Sequence, residues 1–168
     1  VPELSRVATI WNTGNPGNPP LLRDTEVAAR ELRLALQSVG VRGADELEGA
    51  FGVIAKGRVE ALTALSDIFM VTHRKLVADL AIKNKLQSIF PSDVYVRSGG
   101  LMSYGPDIAA TYHRAAYYVD RILKGAKPAD LPIERAMKVE LLVNLKTAKA
   151  LGITMPPSVL VRADKVME

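Results

Sequence analysis

The chain has 168 residues, with 22 Lys and Arg against 18 Asp and Glu for a formal charge of +4, and it contains no cysteine. Hydrophobic residues make up 48% and charged residues 24%, which excludes both a disordered chain and a disulfide-stapled one. Thiolate metal sites, thiol nucleophiles and disulfides are excluded with the cysteines, and the length suffices to bury a sizeable core. No apolar run reaches the roughly 20 residues needed to span a bilayer.

Arg6-Val7-Ala8-Thr9-Ile10-Trp11 reads as a buried strand, followed by the breaker-rich loop Asn12-Thr13-Gly14-Asn15-Pro16-Gly17-Asn18-Pro19-Pro20. A helix is expected over 21–34, because Leu21, Thr25, Ala28, Ala29 and Leu32 recur at intervals of three and four. A short strand over 36–41 comes next, then a helix carrying Leu47, Ala50, Phe51 and Ile54 with Asp45 as its cap. A third strand is expected over 59–65, with Ser66 and Asp67 at its C-terminal end, before one long helix through Phe69, Leu76, Val77 and Leu80. Ser88-Ile89-Phe90 reads as a fourth strand, and Asp93 orders the turn after it.

This alternation of short strands with helices predicts an α/β fold. It takes the form of a three-layer, mostly parallel sheet with helices on both faces. Ligands of such sheets meet the loops beyond the C-terminal ends of the strands. The rhythm changes at Arg97-Ser98-Gly99-Gly100; a helix is expected over 108–123, a strand over 138–143 and a short helix over 145–151 stopped by Gly152. Pro156-Pro157 marks a turn before a last short segment.

The loop from Trp11 to Asn18 offers amides, a hydroxyl and glycines, so Trp11, Asn12, Thr13, Asn15 and Asn18 can cradle a small anion with neutral donors. The competing role of those amides is to satisfy turns in their own loop. Asp67 can accept a ligand ammonium with Ser66 supplying a hydroxyl, or it can cap the helix that follows. Tyr104, between Ser103 and Gly105, can line a cleft or seal a strand end. Tyr112, Tyr117 and Tyr118 read as packing residues, and His73 and His113 as structural, since neither has a metal-spaced carboxylate cluster. Neither a Gly-x-Gly-x-x-Gly fingerprint nor a phosphate loop occurs, and no nucleophile elbow or paired catalytic carboxylates can be placed, so neither a cofactor nor enzymatic turnover is expected. Arg42, Lys56, Arg58, Arg74 and Lys75 are scattered over several elements and read as solvated surface, which leaves no nucleic-acid partner.

Four stretches taken together carry a family resemblance: Arg97-Ser98-Gly99-Gly100-Leu101-Met102-Ser103-Tyr104-Gly105-Pro106-Asp107, the helix with Tyr112, Arg114, Ala115, Ala116, Tyr118, Val119 and Asp120, the run Ile122 to Pro132, and Lys138 through Pro157. They resemble the aromatic amino-acid type, branched-chain-like family of ABC transporter substrate-binding proteins. The resemblance implies a periplasmic-binding-protein type I fold, in which two α/β lobes close around a small organic solute. By length this chain resembles the C-terminal part of such a protein. Residues 1–96 correspond to the main second-lobe domain, 97–128 to a crossing segment that contributes to the first lobe, and 129–168 to the return and tail.

The resemblance places Trp11, Asn12, Thr13, Asn15, Asn18, Ser66 and Asp67 on the ligand side of the second lobe, and Tyr104 near the hinge. If the solute is an amino acid, Asp67 is expected to take its amino group and the Asn15/Asn18 loop its carboxylate. The implied partners are the solute and ABC permease subunits, with a second copy covering the apolar face of 97–128 as a homodimer. The implied location is the periplasm or a membrane-anchored lipoprotein, reached from a precursor whose export signal lies outside this sequence. A ligand-sensing module without transport is the alternative.

Overall fold

A computed structural model describes residues 4–134 and 138–168; the parts of the expected segments that fall on 1–3 and 135–137 lie outside the described residues. The first strand, β1 (Arg6–Asn12), is buried on both faces: Ala8 and Ile10 pack on one side and Thr9 on the other. Such a strand belongs at the centre of a covered sheet. It is followed by α1 (Asn18–Glu31), β2 (Ala35–Val41), a 3-10 turn at Ala44–Glu46, α2 (Leu47–Lys56) and β3 (Ala61–Ala64). Then come α3 (Ile68–Thr72), α4 (Arg74–Lys83), β4 (Gln87–Phe90), α5 (Asp93–Arg97), β5 (Met102–Pro106) and α6 (Ile108–Leu123). The chain closes with β6 (Val139–Asn144), α7 (Leu145–Ala150), α8 (Pro157–Leu160) and β7 (Lys165–Met167).

Among the described residues, seven strands form one sheet in the order β2-β1-β3-β4-β5-β6-β7. Every pairing is parallel except β5 with β6. The expected α/β sheet with helices on both faces is therefore present. On one face Ala8, Ile10, Leu62 and Phe90 pack with Leu47, Phe51 and Ile54 of α2, Val77 and Leu80 of α4 and Tyr95 of α5. Each large side chain so buried stabilises the fold by roughly 1.5–3 kcal/mol. A second, smaller cluster joins Met102, Leu141 and Val143 to Leu145, Ala148 and Leu151 of the α7 region and to Val159 and Leu160 of α8.

Local expectations need several corrections. Helix α1 starts at Asn18, three residues before the expected Leu21, because prolines suit the first turn, where no amide hydrogen is required. Asp45 makes no capping bond to α2; the nearby Glu46 carboxylate instead accepts from the Arg42 amide at 2.9 Å. The strand expected over 59–65 is confined to Ala61–Ala64. The long helix breaks at His73 into α3 and α4. Asp93 opens the five-residue helix α5 and pairs with Arg97 at 2.7 Å, where only a turn was expected.

The tyrosines of α6 do not pack in a core: Tyr112 and Tyr117 are exposed, Tyr118 is half-buried, and no residue of the helix is buried. Asp107 caps it through the Ala110 amide at 3.0 Å, and Gly125, at φ +97, ends it in the left-handed conformation that glycine adopts freely. The return segment lies back along the helix. Arg114 binds Glu134 through two nitrogens, at 2.7 and 2.5 Å, and its guanidinium stacks 4.3 Å from the Tyr117 ring and 5.0 Å from the Tyr118 ring. Tyr118 donates to the Pro132 carbonyl at 2.8 Å. Changing Arg114 to alanine is expected to speed amide exchange over 125–134 at least several-fold while leaving the melting temperature within about 2 °C, since exposed ion pairs contribute about 1 kcal/mol or less. Unchanged exchange would remove Arg114 from that clasp.

Candidate functional site

In the order β2-β1-β3-β4-β5, the segments leaving β1 and β3 diverge to opposite faces of the sheet. Helix α1 follows β1 on one face, while α3 and α4 follow β3 on the other. A crevice opens between neighbouring strand ends at such a switch point, which is where ligands of open α/β sheets bind. Asn12 ends β1, and Asp67 follows β3 by three residues. The two side chains, 55 positions apart in sequence, meet there: Asn12 Nδ2 donates to Asp67 Oδ1 at 3.2 Å.

Asp67 is 6% exposed and gathers the loop around its carboxylate. Oδ1 accepts from Asn12 and from the Phe69 amide at 2.8 Å, the latter bond capping α3. Oδ2 accepts from Asn15 Nδ2 and, at 3.4 Å, from Asn18 Nδ2. Four donors are as many as an ionised carboxylate ordinarily takes. Burial by itself would push the Asp67 carboxyl up, but the amides of Asn15 and Asn12 and the Phe69 and Met70 backbone outweigh it and hold the group below its ordinary value. The site keeps its negative charge at neutral pH and spreads it over neutral amides.

The asparagines also hold their own loop. Asn12 Oδ1 accepts from the Gly14 amide and Asn15 Oδ1 from the Gly17 amide, each at 2.9 Å, while Asn18 Nδ2 donates to the Asn12 carbonyl at 2.8 Å. Loop order, one of the two weighed roles, thus falls on the same three side chains that bond Asp67. Asn18 is fully buried and its Oδ1 has no hydrogen-bond partner among the described residues. Trp11 Nε1 is likewise buried without one, and the indole lies against Gly40 of β2. Thr13 sits at the exposed rim, its hydroxyl 3.4 Å from the Val41 carbonyl, and Ser66 is exposed beside Asp67. Tyr104 does not join the cluster: it lies on β5, 61% exposed.

Two residues of this region were not singled out by sequence. Tyr95 of α5 is fully buried, stacks on Phe90 at 4.5 Å, and its hydroxyl has no partner among the described residues. Burial raises its phenol well above the ordinary value; the Asp67 charge adds to the rise, and Arg74 opposes it. Arg74, grouped by sequence with solvated charges, is half-buried and donates to the Val71 carbonyl at 2.9 Å. The five-residue helix α5 leaves too short an apolar period for Tyr95 to stand out. Among the described residues, no group of three or more His, Cys, Asp and Glu is placed to hold a metal ion, and no helix is long and apolar enough to cross a membrane.

A family model described as ABC transporter substrate binding protein matches residues 1–167. The chain belongs to that family. Among curated proteins it is similar to a tyrosine-binding protein of Clostridioides difficile, 23% identical over 90% of this chain and 44% of that protein. A solved domain protein from Vibrio cholerae superposes with a TM-score of 0.89 at 25% identity, over 99% of this chain and 56% of that one. A Streptococcus pneumonia ABC domain in complex with L-Trp superposes with a TM-score of 0.88 at 23% identity, again over 99% of this chain and 56% of that one. The chain therefore spans about half the length of the family members it matches, and the fold is that of periplasmic-binding-protein-like substrate-binding proteins.

Proposed function

We propose that the chain forms the second lobe of the solute-binding component of an ABC importer. In this reading the lobe captures a small organic solute between the Asn12–Asn18/Asp67 cluster and an opposing lobe, and hands it to a membrane permease outside the cytoplasm. The observation that carries it is the placement of a charged, nearly buried carboxylate and three amides at the switch point of the sheet. Two family members whose names specify tyrosine and L-Trp make an aromatic amino acid the first solute to test. The segment 108–134 belongs, in the same reading, to the opposing lobe, with Tyr104 near the crossing.

Asp67 has no vacant acceptor position, so a ligand ammonium reaches it by exchange. Asn15, half-buried at the outer edge of the cluster, is the donor that gives way; Asn18 is fully buried and stays. Ser66 and Thr13 at the rim then meet the rest of the polar end of the solute. Binding of this kind replaces one donor by a charged one, so little of its free energy is spent leaving the carboxylate unpaired.

Calorimetry of L-tyrosine and L-tryptophan against the two-lobed protein containing this chain tests the reading. Saturable binding without turnover is expected, and absence of binding by both amino acids and by related aromatic acids would overturn it. Replacing Asn15 with alanine is expected to hold or raise the affinity, by up to about tenfold if the lost amide contributed about 1.4 kcal/mol of competition. A tenfold loss would instead put the Asn15 amide on the solute.

A further inference from the structure

Three αβ turns share one ending. Arg33, Arg58 and Lys85 follow helices α1, α2 and α4 in the left-handed conformation, at φ 57, 52 and 54, where the usual residue is glycine. Each stands two or three residues before a strand: Arg33 before Ala35 of β2, Arg58 before Ala61 of β3, and Lys85 before Gln87 of β4. Arg6 opens β1, in register with Ala35. The order β2-β1-β3-β4 therefore sets Arg33, Arg6, Arg58 and Lys85 side by side, one to a strand, over about 14 Å at a strand spacing of about 4.8 Å. The last helical turns add Arg30, Lys56 and Lys83 beside them.

All seven residues are exposed, and among the described residues none of them forms an ion pair. The acids of these turns are Glu31 and Glu60, and the Glu60 carboxylate already accepts from the Ser5 and Arg6 amides at 2.7 and 2.9 Å. Seven cations against two acids exceed the formal charge of the whole chain, +4, so the mild basicity of the sequence is gathered at one end of the sheet. A helix C-terminus favours a nearby cation one at a time. It gives no reason for like charges ranked on neighbouring strands, where they repel, nor for Arg6, which opens a strand. Leu32, 69% exposed, lies between Arg30 and Arg33, and none of these turns holds an aromatic ring. The crevice at Asn12 and Asp67 lies at the opposite end of the same strands, and there too the chain leaves β5 at Pro106 and enters β6 at Val139.

We infer that this end of the sheet docks on the anionic headgroups of a phospholipid bilayer, with Leu32 entering the headgroup layer. A bilayer presents many charges on a broad surface, so it meets a row of exposed cations without needing a pocket. Each Lys or Arg near such a surface adds to the attraction, and an apolar side chain among them adds burial. A nucleic-acid strand fits less well, because it leaves Leu32 in water and finds no ring on which to stack its bases. Docking here leaves the crevice, at the far end of the strands, open to solute. The inference goes beyond solute capture, and the reading of the chain as serving a membrane permease puts it beside a bilayer.

The two-lobed protein containing this chain is expected to co-sediment with vesicles of equal parts phosphatidylglycerol and phosphatidylcholine, and not with vesicles of phosphatidylcholine alone. Raising the salt from about 0.1 M to about 1 M, which shortens the screening length from about 10 Å to about 3 Å, is expected to release it. The combined change Arg33→Asn, Arg58→Asn and Lys85→Asn is expected to weaken vesicle binding roughly a hundredfold, about fivefold for each cation. Asparagine accepts the left-handed conformation, so the three turns are kept. Leu32→Ser is expected to weaken binding severalfold and to leave its salt dependence unchanged. Absence of binding to the charged vesicles would overturn the inference and leave the cations as partners of their helix ends; equal binding by the triple variant would overturn it as well. Tighter binding to an oligonucleotide than to the charged vesicles would overturn it in favour of a nucleic-acid partner. No arm involves a solute, so failure here is distinct from failure of the solute-binding reading.

Discussion

Replacing Asp67 by alanine is expected to destabilise the chain by about 3 kcal/mol, from a lost helix cap worth about 1 kcal/mol and amide donors left without their acceptor. The Asn12, Asn15 and Asn18 side chains converge on this one carboxylate, so the loop over residues 12–18 loses its anchor together with α3. In the two-lobed protein the same change is expected to weaken binding of an amine-bearing solute at least a hundredfold, about 2.7 kcal/mol. Asp67→Asn keeps the shape but points an NH2 group at incoming donors, and is expected to cost nearly as much. Urea unfolding of the two variants measures the stability cost; a loss under about 0.5 kcal/mol in both, the level of an ordinary surface change, would remove Asp67 from this role.

The same carboxylate gives a pH dependence of known sign. Its folded-state value is depressed below its ordinary value of 3.8 by the donors around it. A depressed acid contributes stability in full above its unfolded value, about 3.9, and loses that contribution as pH falls through the folded value. The stability gap between wild type and Asp67→Asn is therefore expected to be constant from pH 5 upward and to close below about pH 4. A gap already present in full and unchanged at every pH from 5 down to the onset of acid unfolding would contradict the depressed carboxylate.

Replacing Gly105 by alanine is the second large effect, expected at about 3 kcal/mol of destabilisation through overpacking. A Cβ built at Gly105 overlaps the Pro91 carbonyl oxygen and lies 2.7 Å from its carbon, and both atoms are backbone. No side-chain rotation relieves that overlap, so the end of β5 must move away from the turn after β4. Gly105 immediately precedes the departure of the chain into α6, so the displacement would be passed to the segment that crosses out of the sheet. Gly49 of α2 supplies the contrast, because nothing lies within 4 Å of a Cβ built there. Its alanine variant is expected to be more stable by about 0.5–1 kcal/mol, the helix propensity difference. Thermal melts of the two variants in one buffer check both signs; equal behaviour would contradict the close approach at Gly105.

Much of the fold was legible locally. Strands such as Arg6–Asn12 and helices such as Ile108–Leu123 declare themselves through continuous apolar runs or a helical period, because burial on two faces or on one stripe imposes those patterns. Boundaries set by competing local bonds were not legible. The start of α1 at Asn18, the break at His73 and the five-residue α5 each turn on a few backbone and cap positions that a hydrophobic period does not sample. The fate of α6 was half legible: its stripe was plain, but whether anything in the chain covers it depends on where the sheet ends.

By itself, the sequence determined that this is a cysteine-free α/β chain with a polar loop after its first strand and an acid after its third. It also carried the family, through the residues around Leu101–Pro106 and Lys138–Pro157. Only the tertiary structure decided that β1 and β3 are neighbours, which brings Asn12 and Asp67 to 3.2 Å across 55 residues and closes the loop amides onto one carboxylate. The physical reason is that hydrophobic periodicity says which face of each strand is buried but not which strand lies beside it. Strand order is fixed by how helices pack across the whole sheet, and the switch point, with its crevice, exists only once that order is set.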